Sequence, residues 1–156
     1  MDELGGSTGG DVSNPIVNLV RFRGDVGQSS TLGMVYTDRT EPGAAFNRVA
    51  GADARLVLGG RYAVEMLAAG SMGGAPGADT AWGSLLTASV RRSSRTLSMD
   101  ASFEDISSSF AARSGFIRRT GVSRLEGGTR YTFRGDRGAL VESWGPSLEV
   151  EEIMER

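Results

Sequence analysis

The stretch that decides the reading is Ala81-Trp-Gly-Ser-Leu-Leu-Thr-Ala-Ser-Val-Arg-Arg-Ser-Ser-Arg-Thr-Leu-Ser-Met-Asp-Ala-Ser-Phe-Glu104. Its second half alternates. Leu97, Met99, Ala101 and Phe103 interleave with Thr96, Ser98, Asp100, Ser102 and Glu104. A period of two places apolar side chains on one face of a strand and polar ones on the other. In the first half, Trp82, Leu86, Ala88 and Val90 share a face, while Gly83, Thr87, Ser89 and Arg91 take the other, with Leu85 the exception. A polar turn at Ser93-Ser94 joins the two arms. Each arm has about ten residues, longer than the usual strand of about five or six. That length matches the roughly 9–11 residues that cross a bilayer at a tilt.

The same unit recurs along the chain. Strands are predicted over residues 14–23, 30–38, 49–58, 61–69, 121–134 and 139–153, in addition to the two arms. Gly59-Gly60 reads as a two-residue hairpin turn, because both positions tolerate positive φ. The last strand is interrupted near Gly145-Pro146 and ends acidic, with Glu149, Glu151 and Glu152. Residues 1–13 are rich in Gly and Ser and are expected to be flexible. Residues 14–156 form the β-region.

Connections after strands one, three, five and seven read as short, and those over residues 39–48, 70–80 and 105–121 as long. In an up-and-down meander all short turns then fall at one end, as in outer-membrane barrels. A soluble barrel or sandwich has less reason for this asymmetry.

Composition narrows the chemistry. Hydrophobic residues are 39% of the 156, and Gly is 23 of them, a glycine load that favours turns and strands over helices. No run of about eighteen apolar residues is present, so a transmembrane helix is excluded. Net charge is −2, which gives no nucleic-acid signal. All 17 basic residues are Arg, which we read as genome composition bias. Cys and His are both absent, which removes disulfides, Cys/His zinc sites, Ser–His and Cys–His dyads and haem axial His. No apolar leader follows Met1, so the chain is expected to be either not exported or an internal piece of an exported one.

Candidate sites are few. Asp53, Arg55, Arg61, Glu65, Arg91, Asp100, Glu104, Arg130 and Arg134 all fall on the polar face. They form either a solvated face with interlocking charges or, more sharply, a solute-binding lumen. Glu104-Asp105 and Glu151-Glu152 supply adjacent carboxylates, but a glycosidase sets its pair across a cleft, and no catalysis is expected. Arg23-Gly24-Asp25 and Arg134-Gly135-Asp136 spell an integrin-type tripeptide at turns that want Gly and Asp anyway. The Gly run near the N-terminus lacks the Lys-Ser/Thr ending of a phosphate loop. Trp82, Tyr36, Tyr62, Tyr131 and Trp144 lie toward strand ends and are candidates for an aromatic girdle or for core aromatics. No cofactor is expected.

Several segments resemble a known family in the same order: Ile16-Val17-Asn18-Leu19-Val20-Arg21 with Ser30-Thr31-Leu32-Gly33-Met34, then Ala50-Gly51-Ala52-Asp53-Ala54-Arg55-Leu56, then Phe110 followed by Gly115-Phe116-Ile117-Arg118-Arg119. The resemblance is to the C-terminal barrel of the bacterial domain-of-unknown-function family 5916. Members carry an N-terminal family-nine-type carbohydrate-binding module followed by an outer-membrane β-barrel. The match covers part of the barrel and none of that module, and Ala111-Ala112 stand where the family has a proline. The resemblance carries over no catalytic residue, and any carbohydrate binding would belong to the missing module.

The expectation is an all-β protein: an antiparallel up-and-down meander of about eight long strands, an outer-membrane-type β-barrel or an open part of one. Its expected partners are the lipid bilayer of a bacterial outer membrane and the remainder of a longer barrel chain, with no nucleic acid. The alternative is a soluble lipocalin-like barrel that turns its apolar face inward onto a small ligand. A weaker alternative is part of a carbohydrate-active exported protein. The first and last strands make a poor closing pair, so they are expected not to hydrogen-bond to each other.

Overall fold

The computed structural model describes residues 14–115, 119–138 and 140–155. The stretch expected to be flexible, residues 1–13, and part of the third resembling segment, residues 116–118, lie outside them. Among the described residues there is no helix. Eight strands make one antiparallel sheet: β1 (Ile16–Val26), β2 (Ser30–Thr40), β3 (Phe46–Leu58), β4 (Tyr62–Gly74), β5 (Ala81–Arg92), β6 (Leu97–Ile106), β7 (Val122–Tyr131) and β10 (Ser147–Glu155). Each of the first seven pairs with its neighbour in sequence, and β10 pairs with β7. A separate two-stranded hairpin, β8 (Phe133–Arg134) with β9 (Ser143–Trp144), sits in the β7–β10 connection. No ladder joins β1 to β10, so the sheet is not closed.

The strand pattern follows from the alternation. Opposed residues share a face, so the register defines two faces. The ladder Ala54–Met66–Ala88–Phe103–Leu125 runs along the apolar face. The next row, Arg55–Glu65–Ser89–Ser102–Glu126, runs along the polar one. Gly59 and Gly60 turn the chain where expected, with φ of 56° and 65°, a conformation that glycine adopts without cost, but Leu58 pairs with Tyr62, so the loop holds three residues, 59–61, rather than two.

The loop expectation is corrected. Strands β3 and β4 run further than the alternation implied, so the β2–β3 and β4–β5 connections shrink to residues 41–45 and 75–80. The sequence Gly70-Ser-Met-Gly-Gly74 reads as loop but is strand. Gly73 and Gly74 pair with Asn47 and Phe46; a Cβ on Gly74 would lie 3.1 Å from the Phe46 ring and one on Gly73 3.3 Å from the Phe46 carbonyl oxygen. The connection expected over 105–121 does stay long, as residues 107–121, but the one after β7, expected to be short, runs over 132–146 at the opposite end of the sheet, so the long connections do not share one end. The predicted strand at 121–134 breaks after Tyr131, and that at 139–153 begins only at Ser147. Tyr131 N–H donates to the Pro146 carbonyl at 3.1 Å, while Thr132 N–H turns away to the Thr96 carbonyl at 2.7 Å. The Arg23-Gly24-Asp25 tripeptide lies within β1, not at a turn.

The buried apolar core is small: Val49, Ile106, Phe110 and Val122, with Ala69, Leu85 and Ala112 against it. It lies on the polar face, under residues 107–115. Leu85, the exception in the alternation, therefore has a partner: it sits in the row Ala69–Leu85–Ile106–Val122 beneath that segment. Most large apolar side chains are exposed, including Phe22, Met34 and Trp82 at 68%, 59% and 69%.

Candidate lumen face

The polar face carries seven of the nine candidate residues: Asp53, Arg55, Glu65, Arg91, Asp100, Glu104 and Arg130. The other two are displaced. Arg61 closes the Gly59-Gly60 turn, its N–H donating to the Leu58 carbonyl and its own carbonyl accepting from Ser93 N–H. Arg134 belongs to β8, and its Nε donates to the Arg95 carbonyl at 3.4 Å, on the rim beyond the sheet. Their alternation with neighbours put them on the polar face; chain breaks next to each removed them from the sheet.

This face is the inside of a curl. One cavity of about 520 Å³ is touched by Arg23 of β1, Thr31 of β2, Asp53 of β3, Glu65 of β4, Thr87 of β5, Ser102 of β6 and Arg124 of β7. In a flat sheet, strands spaced ~4.8 Å apart would put β1 and β7 roughly 29 Å apart. A single cavity reaches all seven because the sheet bends toward its polar side. A second cavity of about 670 Å³ continues along Asp100, Arg130, Glu149 and Glu151.

Opposite charges interlock across the strands. Arg55 and Glu65 are directly opposed and bonded at 2.6 Å. Arg21 reaches over β2 to Asp53 at 2.8 Å. That bridge needs Gly33 between them, since a Cβ there would sit 2.7 Å from an Asp53 oxygen. Gly128 lies likewise beneath the Asp100 carboxylate. Glu104 opposes Arg124, and Arg91 opposes Asp100. Glu126 faces Glu151 directly but is approached by Arg124 at 3.5 Å and by the Ser102 hydroxyl at 3.3 Å.

Such a surface offers paired, hydrated charge and hydrogen-bonding groups. The adjacent carboxylates do not combine: Glu104 and Asp105, like Glu151 and Glu152, are consecutive in a strand and so point to opposite faces. Among the described residues no group of three or more carboxylates is placed to hold a metal ion.

The outer, convex face is apolar. Four of the five aromatic candidates lie on it near strand ends: Tyr62 and Tyr131 toward the β3–β4 turn, Tyr36 and Trp82 toward the opposite end. Trp144 does not; it stacks on Phe133 in the small hairpin, with ring centroids 4.4 Å apart. Between these levels β3 presents Ala50, Ala52, Ala54, Leu56 and Leu58, a run of about 27 Å at ~3.4 Å per residue. Polar groups flank it: the Asp38–Arg48 pair at one end, and Arg92 over the Tyr62 ring at the other.

Sequence reasoning missed Asn47, Ser71 and Phe110, which anchor residues 107–115. Asn47 and Ser71 fall on the polar face once the alternation of β3 and β4 is extended through their glycines, and that extension was the available signal. Scanned against family models, curated proteins and solved structures, the chain finds no match.

Proposed function

We propose that this chain forms part of the wall of an outer-membrane-type β-barrel in a bacterial outer membrane, with a structural or transport role and no catalysis. The observation that carries the reading is the sense of the curl: the charged face is concave and the apolar face convex. A barrel in lipid needs that arrangement. A lipocalin-like barrel needs the reverse, an apolar inside. Eight strands ~4.8 Å apart and an apolar band ~25 Å tall amount to about 1,000 Å² of outward apolar surface, well above the few hundred that soluble monomers expose in one patch.

The bare edges belong to the same reading. β1 spans 11 residues. Roughly half of them turn N–H and C=O groups outward, and at several kcal/mol for each unsatisfied group an edge left bare in hydrocarbon would cost tens of kcal/mol. Further strands of a longer barrel therefore continue both edges. The family resemblance agrees with this, and any carbohydrate contact would come through a module beyond the resembling residues.

Flotation with phospholipid vesicles, together with far-ultraviolet dichroism in detergent and in plain buffer, tests the reading. The expected result is β-structure only with detergent or lipid, and co-flotation. A monomeric β-rich protein in buffer alone would overturn it.

A further inference from the structure

The connection after β6 does not extend away from the sheet. Residues 107–115 fold back over the concave face and cross it strand by strand. Ser107 Oγ accepts from the Ser84 N–H on β5 at 2.8 Å, and Ser109 Oγ donates to the Trp82 carbonyl on the same strand. Ala111 N–H donates to Ser71 Oγ on β4 at 3.1 Å. Asn47 on β3 holds the segment twice, donating to the Ala111 carbonyl and accepting from Arg113 N–H, both at 2.9 Å. Arg39 on β2 donates to the Arg113 carbonyl at 3.0 Å. Asn47 and Ser71 are 2% and 3% exposed, so these are sequestered bonds.

Packing adds to them. Phe110 is 4% exposed over Val49, Ile106 and Val122. Its backbone passes so close to β5 that a Cβ on Gly83 would lie 2.2 Å from the Phe110 Cα. The glycine is a seat for the crossing chain, which contacts four strands from β5 to β2, about 14 Å at ~4.8 Å between neighbours.

We propose that residues 107–115 are an inward strap that narrows the barrel interior at the β6–β7 end and sets the size of solute that passes. This rests on the barrel-wall reading above. Barrel interiors are closed off by inward loops in other outer-membrane proteins. Here the two sides of the contact are matched: a buried apolar cluster of Val49, Ile106 and Val122 on the polar face under the strap, and three buried or glycine seats, Asn47, Ser71 and Gly83, beneath it.

The chain has no cysteine, so an engineered pair can report on the strap. Ser71→Cys with Ala111→Cys should form a disulfide in detergent micelles, read by gel mobility with and without reductant. In planar lipid bilayers, with this chain inside the longer barrel that supplies the strands beyond β1 and β10, Asn47→Ala with Ser71→Ala should free the strap and raise single-channel conductance at least about twofold over the wild type, while the oxidised cysteine pair keeps the low value. Absence of the disulfide would overturn the docked strap. Wild-type insertion with the same conductance in the freed variant, or with no conductance in either, would overturn the constriction alone. Failure of the wild type to float with vesicles would overturn the barrel-wall reading and the constriction with it, while the disulfide in micelles would still report whether the strap is docked.

Discussion

Met66→Arg is the sharpest perturbation of the facing. Met66 lies on the convex face of β4, level with Ala54, Ala88 and Phe103, and is 43% exposed. Tyr62, at the turn end, is four residues away, about 13 Å along the strand, and Met72 is six residues the other way, about 20 Å. Met66 is therefore deep in the apolar band. An Arg near the midplane of a bilayer costs about 2–4 kcal/mol, falling to about 0–1 near the interfaces. That is roughly a 30- to 700-fold loss in the folding equilibrium. Ser89→Arg is the control. Ser89 is directly opposite Glu65 on the concave face, where a new cation meets water and a carboxylate; its cost should stay below about 1 kcal/mol. Met99 is a second control. It is on the convex face but level with Arg92 and Tyr62, at the margin of the band. Met99→Arg should therefore cost clearly less than Met66→Arg. Reversible denaturant unfolding in lipid vesicles, followed by tryptophan fluorescence, measures all three, with Met66→Gln separating loss of the thioether from gain of charge. Equal costs for Met66→Arg and Ser89→Arg would refute the assignment of faces. Equal costs for Met66→Arg and Met99→Arg would refute the depth argument.

Three other outcomes are expected. Gly83→Ala should expel the strap, because the added methyl overlaps Phe110 backbone; it should destabilise by about 1–3 kcal/mol and make Arg113 sensitive to trypsin, and a variant as resistant as the wild type would contradict this contact. A double-mutant cycle on Arg21→Ala and Asp53→Ala should give a coupling of only about 0.2–1 kcal/mol, weakened by salt, since the pair is partly exposed. Gly59→Ala should cost about 1–2 kcal/mol, because its φ of 56° is left-handed; an unchanged denaturation midpoint would mean the turn relaxes into another type.

Much of the sheet was legible because period two is hard to satisfy by accident over ten residues. Leu97 to Phe103 fixed β6 and its facing, and Gly59-Gly60 fixed a turn. What escaped were positions where glycine carries two meanings. In Gly70-Ser-Met-Gly-Gly74 glycine signals a loop by propensity, but here it makes room for the ring and carbonyl of Phe46 on the neighbouring strand. Gly33 and Gly128, which carry no signal of their own in the alternation, admit the Asp53 and Asp100 carboxylates. The strap was illegible for a different reason. Its partners Asn47, Ser71 and Arg39 lie far away in sequence, and no local pattern marks a side chain that waits for a distant backbone. Of the charged candidates, those inside long alternating runs lie on the polar sheet face that the alternation gave them, and Arg61 and Arg134, beside chain breaks, lie outside the sheet.

The strap also dictates an order of assembly. Every ladder from β1 to β7 joins neighbours in sequence, so each hairpin can zip with little loop to close. The strap's bonds reach back 40 residues to Ser71, 64 to Asn47 and 74 to Arg39. They become available only when β2 through β6 already lie side by side. The strap is then the last contact made and the first released, and its loss should appear in the unfolding rate while the folding rate stays unchanged.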